Sequence, residues 1–425
     1  MAVHPKIKRL RWMRWLARAP WFRRSTQKTL SGDQGKTANS PVVVADPKVR
    51  DQAFIDARKA IADLKETGGR KLDLKHLSGL TQLPPEIEKL PLTELVLAQM
   101  SGNYPHIDLG PLKRIETLES LTCGGATLDL MPLTDLPSLR RLVLSDCMLP
   151  DAMQLGRLRR LEVLELVNFD RCVETDTMLR ALVDLPRLTS LTLFDCSLHD
   201  PSPLTELVRL ESLTLDLLFI DDGSMTPPAL DARLLAPLTR LKVLSVSEAG
   251  LSDIGPLTKL TALEDFNISG NELTDLSPLS GLTNLRALTM SSLPVGDLST
   301  LAPLTKLQDL WALSRVATSD LTPLSGLTSL KSLAVSVAGT DLSVLGPLKR
   351  LEELVINADD LQDLSQLGAL TSLKRLTLDG AGVSDISMIP KLTALEELNL
   401  RRTNVQSLDP LRGLTTLKIN AHGLT

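Results

Sequence analysis

One leucine pattern recurs along most of this chain and restricts its possible folds more than any other feature. In Asp275-Leu276-Ser277-Pro278-Leu279, followed by Leu282, Leu285, Leu288 and Met290, apolar residues first fall at every third position and then alternate. The same frame starts at Asp108, Asp129, Asp151, Asp200, Asp231, Asp253, Asp297, Asp320, Asp341, Asp363 and Asp385, mostly 21–23 residues apart. Sixteen short cores of the form Leu-x-Leu, or a near variant, start at residues 72, 95, 121, 142, 164, 191, 213, 244, 266, 288, 310, 333, 354, 376, 398 and 417. A fixed period of this length marks a stack of small units, not a set of globular domains.

The two spacings predict the shape of each unit. Alternating leucines both point inward from a short strand. Spacing by three suits a 3₁₀ or short helical segment on the opposite side. Pro111, Pro256, Pro278 and Pro323 follow Gly, Ser or Thr where such a segment would start, which is capping chemistry with proline in the first turn. The aspartates that open the units are read as turn and cap residues rather than an acidic binding cluster. With 93 Leu but only six Phe, four Trp and one Tyr, the core must be aliphatic. No single coil can cover its own leucines, so stacking supplies the core. Each buried leucine contributes about 1.5–3 kcal/mol. Sixteen strands about 4.8 Å apart would give an inner sheet roughly 70 Å along its arc.

This unit resembles that of leucine-rich-repeat proteins, in particular the internalin class and the related phosphatase-regulatory repeat proteins. The resemblance spans about residues 70–425. It implies an α/β solenoid: a curved right-handed coil with a parallel concave sheet and short convex segments, about 16 repeats long, of bacterial type. The first unit, Leu72-Asp73-Leu74 through Leu83-Pro84-Pro85-Glu86-Ile87, is more similar to the repeats of bacterial Ras-like and Roco-associated proteins. Two departures from the internalin pattern stand out. The family's asparagine ladder, five residues after the first strand leucine, is filled only by Asn271; Ala126, Cys147, Phe169, Cys196, Ala249, Ala338 and Ala381 stand elsewhere. The backbone groups that such asparagines serve must then find other partners. The signal peptide, immunoglobulin-like domain and wall anchor of internalins have no counterpart here, and the last unit reads as shortened.

Upstream, residues 46–69 predict a helix that caps the first coil, with Phe54, Ala57, Ile61 and Leu64 on one face and Gly68-Gly69 as its end. Residues 1–45 read as a basic tail and polar linker. The net charge is −4, yet residues 1–30 carry nine Lys/Arg and no acid, so the remainder sums to −13. A helix over Leu10–Arg18 would place Arg11, Arg14 and Arg18 opposite Leu10, Met13 and Leu16, with Trp12 and Trp15 at the margins and Trp21 beyond. This suits contact with an anionic membrane surface through residues 1–24, and equally a targeting or secretion signal, a nonspecific nucleic-acid arm or a plain basic tail. The apolar run Trp15-Leu16-Ala17 is too short for a secretory signal, and no segment has the length of a transmembrane helix. A cytoplasmic monomer is expected, with membrane-peripheral placement or a signal-peptide-independent route as the alternatives that the tail leaves open.

Chemistry-bearing motifs are scarce. Gly35-Lys36-Thr37 lacks the earlier glycine of a phosphate loop, since position 30 is Leu30. His4, His76, His106, His199 and His422 fall on distant units, and no catalytic set converges. Cys123, Cys147, Cys172 and Cys196 lack metal-site spacing. Cys147 and Cys196, two coils apart at about 10 Å, are too distant for a disulfide. No cofactor is expected. What remains is a binding surface. Among small and polar concave residues such as Thr192, Thr214, Ser245, Asn267 and Thr289, Trp311 stands out between Asp309 and Leu313, with Phe194, Asp195, Asp216, Glu248 and Asp265 on other coils. Exposed aromatics commonly anchor interfaces; local packing of Trp311 is the other reading. The acids favour a partner of basic character. Insertions at Ser101–His106, Arg171–Asp176 and Asp221–Ala229 each follow a strand and would decorate one edge. The chain therefore reads as a non-enzymatic scaffold that binds a protein partner, with bulk charge arguing against nucleic acid.

Overall fold

A strand whose alternate residues are leucine has one face that must leave water, and the neighbouring coil offers the cover. A computed structural model describes residues 47–422 except 78, 100–103, 170–174, 199, 220–228, 340 and 381. Sixteen parallel strands, from Lys71–Asp73 to Lys418–His422, form one sheet whose order follows the chain. Its register pairs like with like: Leu72 with Leu95, Leu288 with Leu310, Leu376 with Leu398. The leucines behind the sheet and those of the three-residue spacing join one continuous buried core.

The last coil departs from the leucine count. Leu398 pairs with Ile419, not Leu417, so Ile419 and Ala421 take the inward positions. The final unit therefore has an ordinary spacing and is not shortened. Hydrogen bonding fixes this register, with the Lys418 amide donating to Glu396 O just as Arg375, its equivalent two coils earlier, donates to Glu352 O.

At the other end, α1 (Pro47–Thr67) packs onto the first coil. Its most buried residues are Ala53, Ala57 and Ile61, four apart, with Phe54 and Leu64 half-buried beside them. The small alanines let the helix axis approach closely, which turns the face slightly from the one predicted. An Arg58–Glu86 ion pair of 2.5 Å joins the helix to the first 3₁₀ turn.

The convex side consists mainly of 3₁₀ turns such as Gly255–Lys259 and Ser277–Gly281, several with proline in the first turn. Each of the twelve repeat aspartates accepts a hydrogen bond from the amide two residues on, at 2.7–3.1 Å. One coil differs. The second insertion leads into a true α-helix, α2 (Thr175–Val183), with Met178, Leu179, Ala181 and Leu182 buried. It stacks on the turn Ala152–Arg157, where a Cβ on Gly156 would lie 2.7 Å from Ala181 O. The first insertion ends in structure as well: His106–Ile107 pairs with Thr127–Leu128 in a second small sheet, and Tyr104 donates to Asp146 Oδ1 at 2.6 Å. Of the third, only Ala229 lies within the described residues.

The ladder position resolves in a way that its composition hides. Four residues after the first strand leucine, many coils place a residue at positive φ, including Gly125, Asp146, Asn168, Asp195, Glu248, Gly270, Ser292 and Arg402. Its amide donates to the next coil, as in Asp146 N to Val167 O at 2.8 Å and Ser292 N to Leu313 O at 2.9 Å. The following residue then turns inward. Where that residue is Asn271, its amide donates to Val246 O and Ile268 O at 2.7 and 2.8 Å, and its oxygen accepts from Leu251 N and Ala249 N at 3.0 and 3.2 Å. Where it is Cys147 or Cys196, the thiol donates to neighbouring carbonyls at 3.5–3.8 Å.

Two predictions follow from this accounting. Asn271→Ala strips partners from four buried backbone groups and should cost about 3 kcal/mol or more, read as a lower urea midpoint; an unchanged midpoint would show that the backbone closes without it. The second concerns acid. The Ser277, Ser343 and Ser387 amides, then their hydroxyls, hold Asp275, Asp341 and Asp385 below the ordinary 3.8. For Asp200, Asp320 and Asp363 the hydroxyl contributes most. A lowered folded pKa stabilises above the unfolded value and is lost as pH falls through the folded one. The caps should therefore leave stability flat from pH 7 to 5 and erode it below about pH 4. In an Asp275→Asn/Asp320→Asn/Asp363→Asn variant, which keeps the acceptors, that erosion should be shallower in acid titrations of the urea midpoint.

Candidate functional site

Strand alternation sorts the side chains of each coil. The paired leucines enter the core, and the residues before, between and after them project onto the concave face. Read across the register, this face has three stretches. Towards the N-terminus, Val143, Val163, Val167 and Phe194 are half-buried, with Val167 paired to Phe194. Towards the C-terminus, ion pairs and amides cross between coils: Arg375–Glu353 at 3.0 Å, Arg402–Asp379 at 2.7 Å, and Asn420 Nδ2 donating to Asn399 Oδ1 at 2.7 Å.

The middle stretch is made of small polar side chains that hydrogen-bond from coil to coil. Asp216 Oδ1 accepts from Ser245 Oγ at 2.7 Å and from Ser247 N at 2.9 Å. Asn267 Nδ2 donates to Ser245 Oγ at 2.8 Å, and Ser291 N donates to Ser269 Oγ at 3.1 Å. These residues are buried although they project from the concave side, because each lies flat against the next small neighbour.

The predicted partner-binding residues separate against this background. Asp216 is only 2% exposed, so it is not available to a partner; the serines of the next coil are small enough for its carboxylate to fold down onto them. Asp195 and Glu248 occupy the positive-φ position four residues after the first strand leucine, a backbone role on the rim of the face. Phe194 belongs to the apolar stretch and pairs in register with Asp216. Asp265, Asp309, Trp311 and Leu313 are half-buried and close together on neighbouring coils.

The packing reading of Trp311 has a local basis in the sheet register. It stands in register between Thr289 and Ala334. Ala334 is fully buried on this open face, with Trp311 and Val355 as its neighbours. The indole therefore roofs a small residue while part of it stays exposed.

The tail residues Arg11, Trp12, Arg14, Trp15, Arg18 and Trp21 lie outside the described residues, as does Cys172. Sequence reasoning missed the serine and asparagine network, whose only signal was a run of small polar concave residues. It also missed that Cys147 lies against Cys123 of the preceding coil, its Sγ 3.5 Å from Cys123 O. The Cys147 thiol and burial push the Cys123 thiol up, so it stays protonated. Among the described residues no group of three or more His, Cys, Asp or Glu could hold a metal ion, and no helix is long and apolar enough to cross a membrane.

Comparisons with known proteins agree with this geometry. A family model described as leucine-rich repeats in two copies matches residues 239–281. An internalin structure from Listeria monocytogenes aligns over 92% of this chain and 100% of its own, with 22% identity and a TM-score of 0.54. A leucine-rich-repeat protein of Leptospira interrogans aligns over 86% and 87%, with 20% identity and a TM-score of 0.57. A plant peptide-hormone receptor, solved with its peptide, aligns over 82% and 60%, with 18% identity and a TM-score of 0.51. A search of curated protein sequences found no match. At these identities the structural likeness concerns the fold. The repeat period, the sixteen-strand ladder and the matched family model together make this chain a leucine-rich-repeat protein.

Proposed function

We propose that the protein is a binding scaffold whose concave sheet docks a protein partner, centred on Trp311. Leucine-rich-repeat proteins generally mediate protein–protein interaction, and stacked repeats present the extended concave surface that such binding uses. The observation that carries the reading is a half-buried indole in the middle stretch of the face, whose other side chains are mostly small and polar. Tryptophan gives a large contact area for little loss of side-chain freedom, and its surroundings are held by cross-coil hydrogen bonds. The structure of the plant receptor, which shares the fold, holds a peptide. Among the described residues no set of titratable groups converges as catalysis would need.

The test is affinity capture from source cells, quantified by mass spectrometry, with full-length protein and three variants. Trp311→Ala and Thr289→Arg should each deplete the same discrete partner at least about tenfold, the size expected of a central anchor. Thr305→Arg, on an exposed position outside the sheet, should leave it in place. Capture indifferent to both concave changes would move the working surface elsewhere.

A further inference from the structure

Charge is sorted on the edge of the solenoid that leads into the strands. Four consecutive coils place an arginine at the same position there: Arg160, Arg187, Arg209 and Arg240. Backbone bonds two residues further on fix their register, with Thr189 N donating to Glu162 O, Glu211 N to Thr189 O and Lys242 N to Glu211 O at 2.8–3.0 Å. All four arginines are exposed. Arg240 lies 3.6 Å from Glu211, which Lys242 already holds at 2.8 Å. Arg160, Arg187 and Arg209 make no hydrogen bond or ion pair among the described residues.

The fold does not ask for this column. The same position is Thr117 and Ser138 in the two coils before it, and Ala262 and Asn284 in the two after. Elsewhere a cation stands there singly, as Lys306 and Arg350. Like charges side by side on adjacent coils repel, so the column costs stability unless something anionic joins it. Its surroundings set the shape of what fits. Glu162 and Glu211, two residues further on, are held by Arg140 and Lys242. Asp184 and Glu206 stand three residues before Arg187 and Arg209, at the convex end. Arg157 and Arg159 add charge at the first coil. The rest of the positive charge is a narrow line with acids on both flanks. At about 4.8 Å per coil the line is about 14 Å long, the reach of about four extended residues. A flat anionic membrane or a wide duplex would press on the flanking acids; a single extended chain would not. Beside the line, Pro186 and Val208 are exposed, Val208 by 47%.

We infer that this edge binds an extended acidic segment of a protein, whose carboxylates pair with Arg160, Arg187, Arg209 and Arg240 while an apolar residue packs on Val208. The surface is separate from the concave face and does not depend on the docking role of Trp311. Each guanidinium donates two parallel hydrogen bonds to one carboxylate, a geometry that a lysine cannot offer. Alternate side chains of an extended segment fall about 6.8 Å apart, and long arginine side chains span the difference from the coil spacing. Beyond residue 30 the chain sums to −13, so the column is a local exception that fixes where an acidic segment settles.

The experiment titrates a fluorescein-labelled twelve-residue oligoglutamate with a central benzoylphenylalanine into the full chain at low salt. Anisotropy reads affinity, and photo-crosslinking with mass spectrometry reads the site. Binding should weaken with added KCl, and at least about tenfold in Arg160→Gln/Arg187→Gln/Arg209→Gln. Lys259→Gln/Lys331→Gln/Arg350→Gln removes as much charge from scattered exposed positions and should change affinity by less than about twofold. All six side chains are exposed, so the urea midpoints of both variants should match that of the unmodified chain. Adducts should map to the coils of Arg187 and Arg209. No binding at low salt, equal losses in the two triple variants, adducts confined to residues 1–30, or equal affinity for a twelve-residue oligothymidylate would each overturn the inference. Trp311→Ala should leave this binding unchanged, so none of those outcomes bears on the concave docking role.

Discussion

Burial of leucine against the leucine of the next coil is the interaction on which the rest of this molecule depends. A single coil of this size has a strand and a short turn, and nothing of its own to cover either. Stacking removes nearly every repeat leucine from water across the whole array. Because the cover comes from the neighbour, the spacing between coils is fixed by the sheet ladder, and so is the register of everything the strands carry. The concave face is thus a lattice in which each side chain's neighbours are set by chain order.

Polar backbone at the strand ends is the difficulty that such a stack must solve. An asparagine in every coil would solve it uniformly, but this chain has Asn271 alone at the described ladder sites. Many coils, the Asn271 coil among them through Gly270, extend the parallel ladder by one more hydrogen bond made by the amide of a residue at positive φ. Asp, Asn, Ser and Gly tolerate that conformation more readily than bulkier residues. The position after it can then be Ala or Cys without leaving a carbonyl unserved, and the thiols donate where they can. On the convex side the aspartates meet the matching need at the start of each turn.

Those needs met, the concave residues are the ones the core does not dictate, and they differ along the array. An apolar stretch, a small polar stretch with two acids and an indole, and a stretch of ion pairs and amides follow one another. Trp311 was legible because a large aromatic among Thr, Ser and Asn is conspicuous in the sequence. Asp216 was misread because its exposure depends on Ser245 and Ser247, one coil further on, being small enough for it to lie down. Asp195 and Glu248 were placed on the right edge, but their positive φ is a property of the turn and leaves no trace in side-chain chemistry.

The sequence by itself determined the period, the strand positions of fifteen coils, the capping helix and the convex turns. Each of these follows from apolar spacing and cap residues within one unit, which a single dimension records. Tertiary structure decided the rest: that the last coil aligns through Ile419, that the segment after the second insertion is α2, that Cys147 meets Cys123, and which acids stay on the concave face. All of these depend on the size and hydrogen bonding of a residue in the adjacent coil, some twenty positions away. That information enters only when the ladder sets the two side by side.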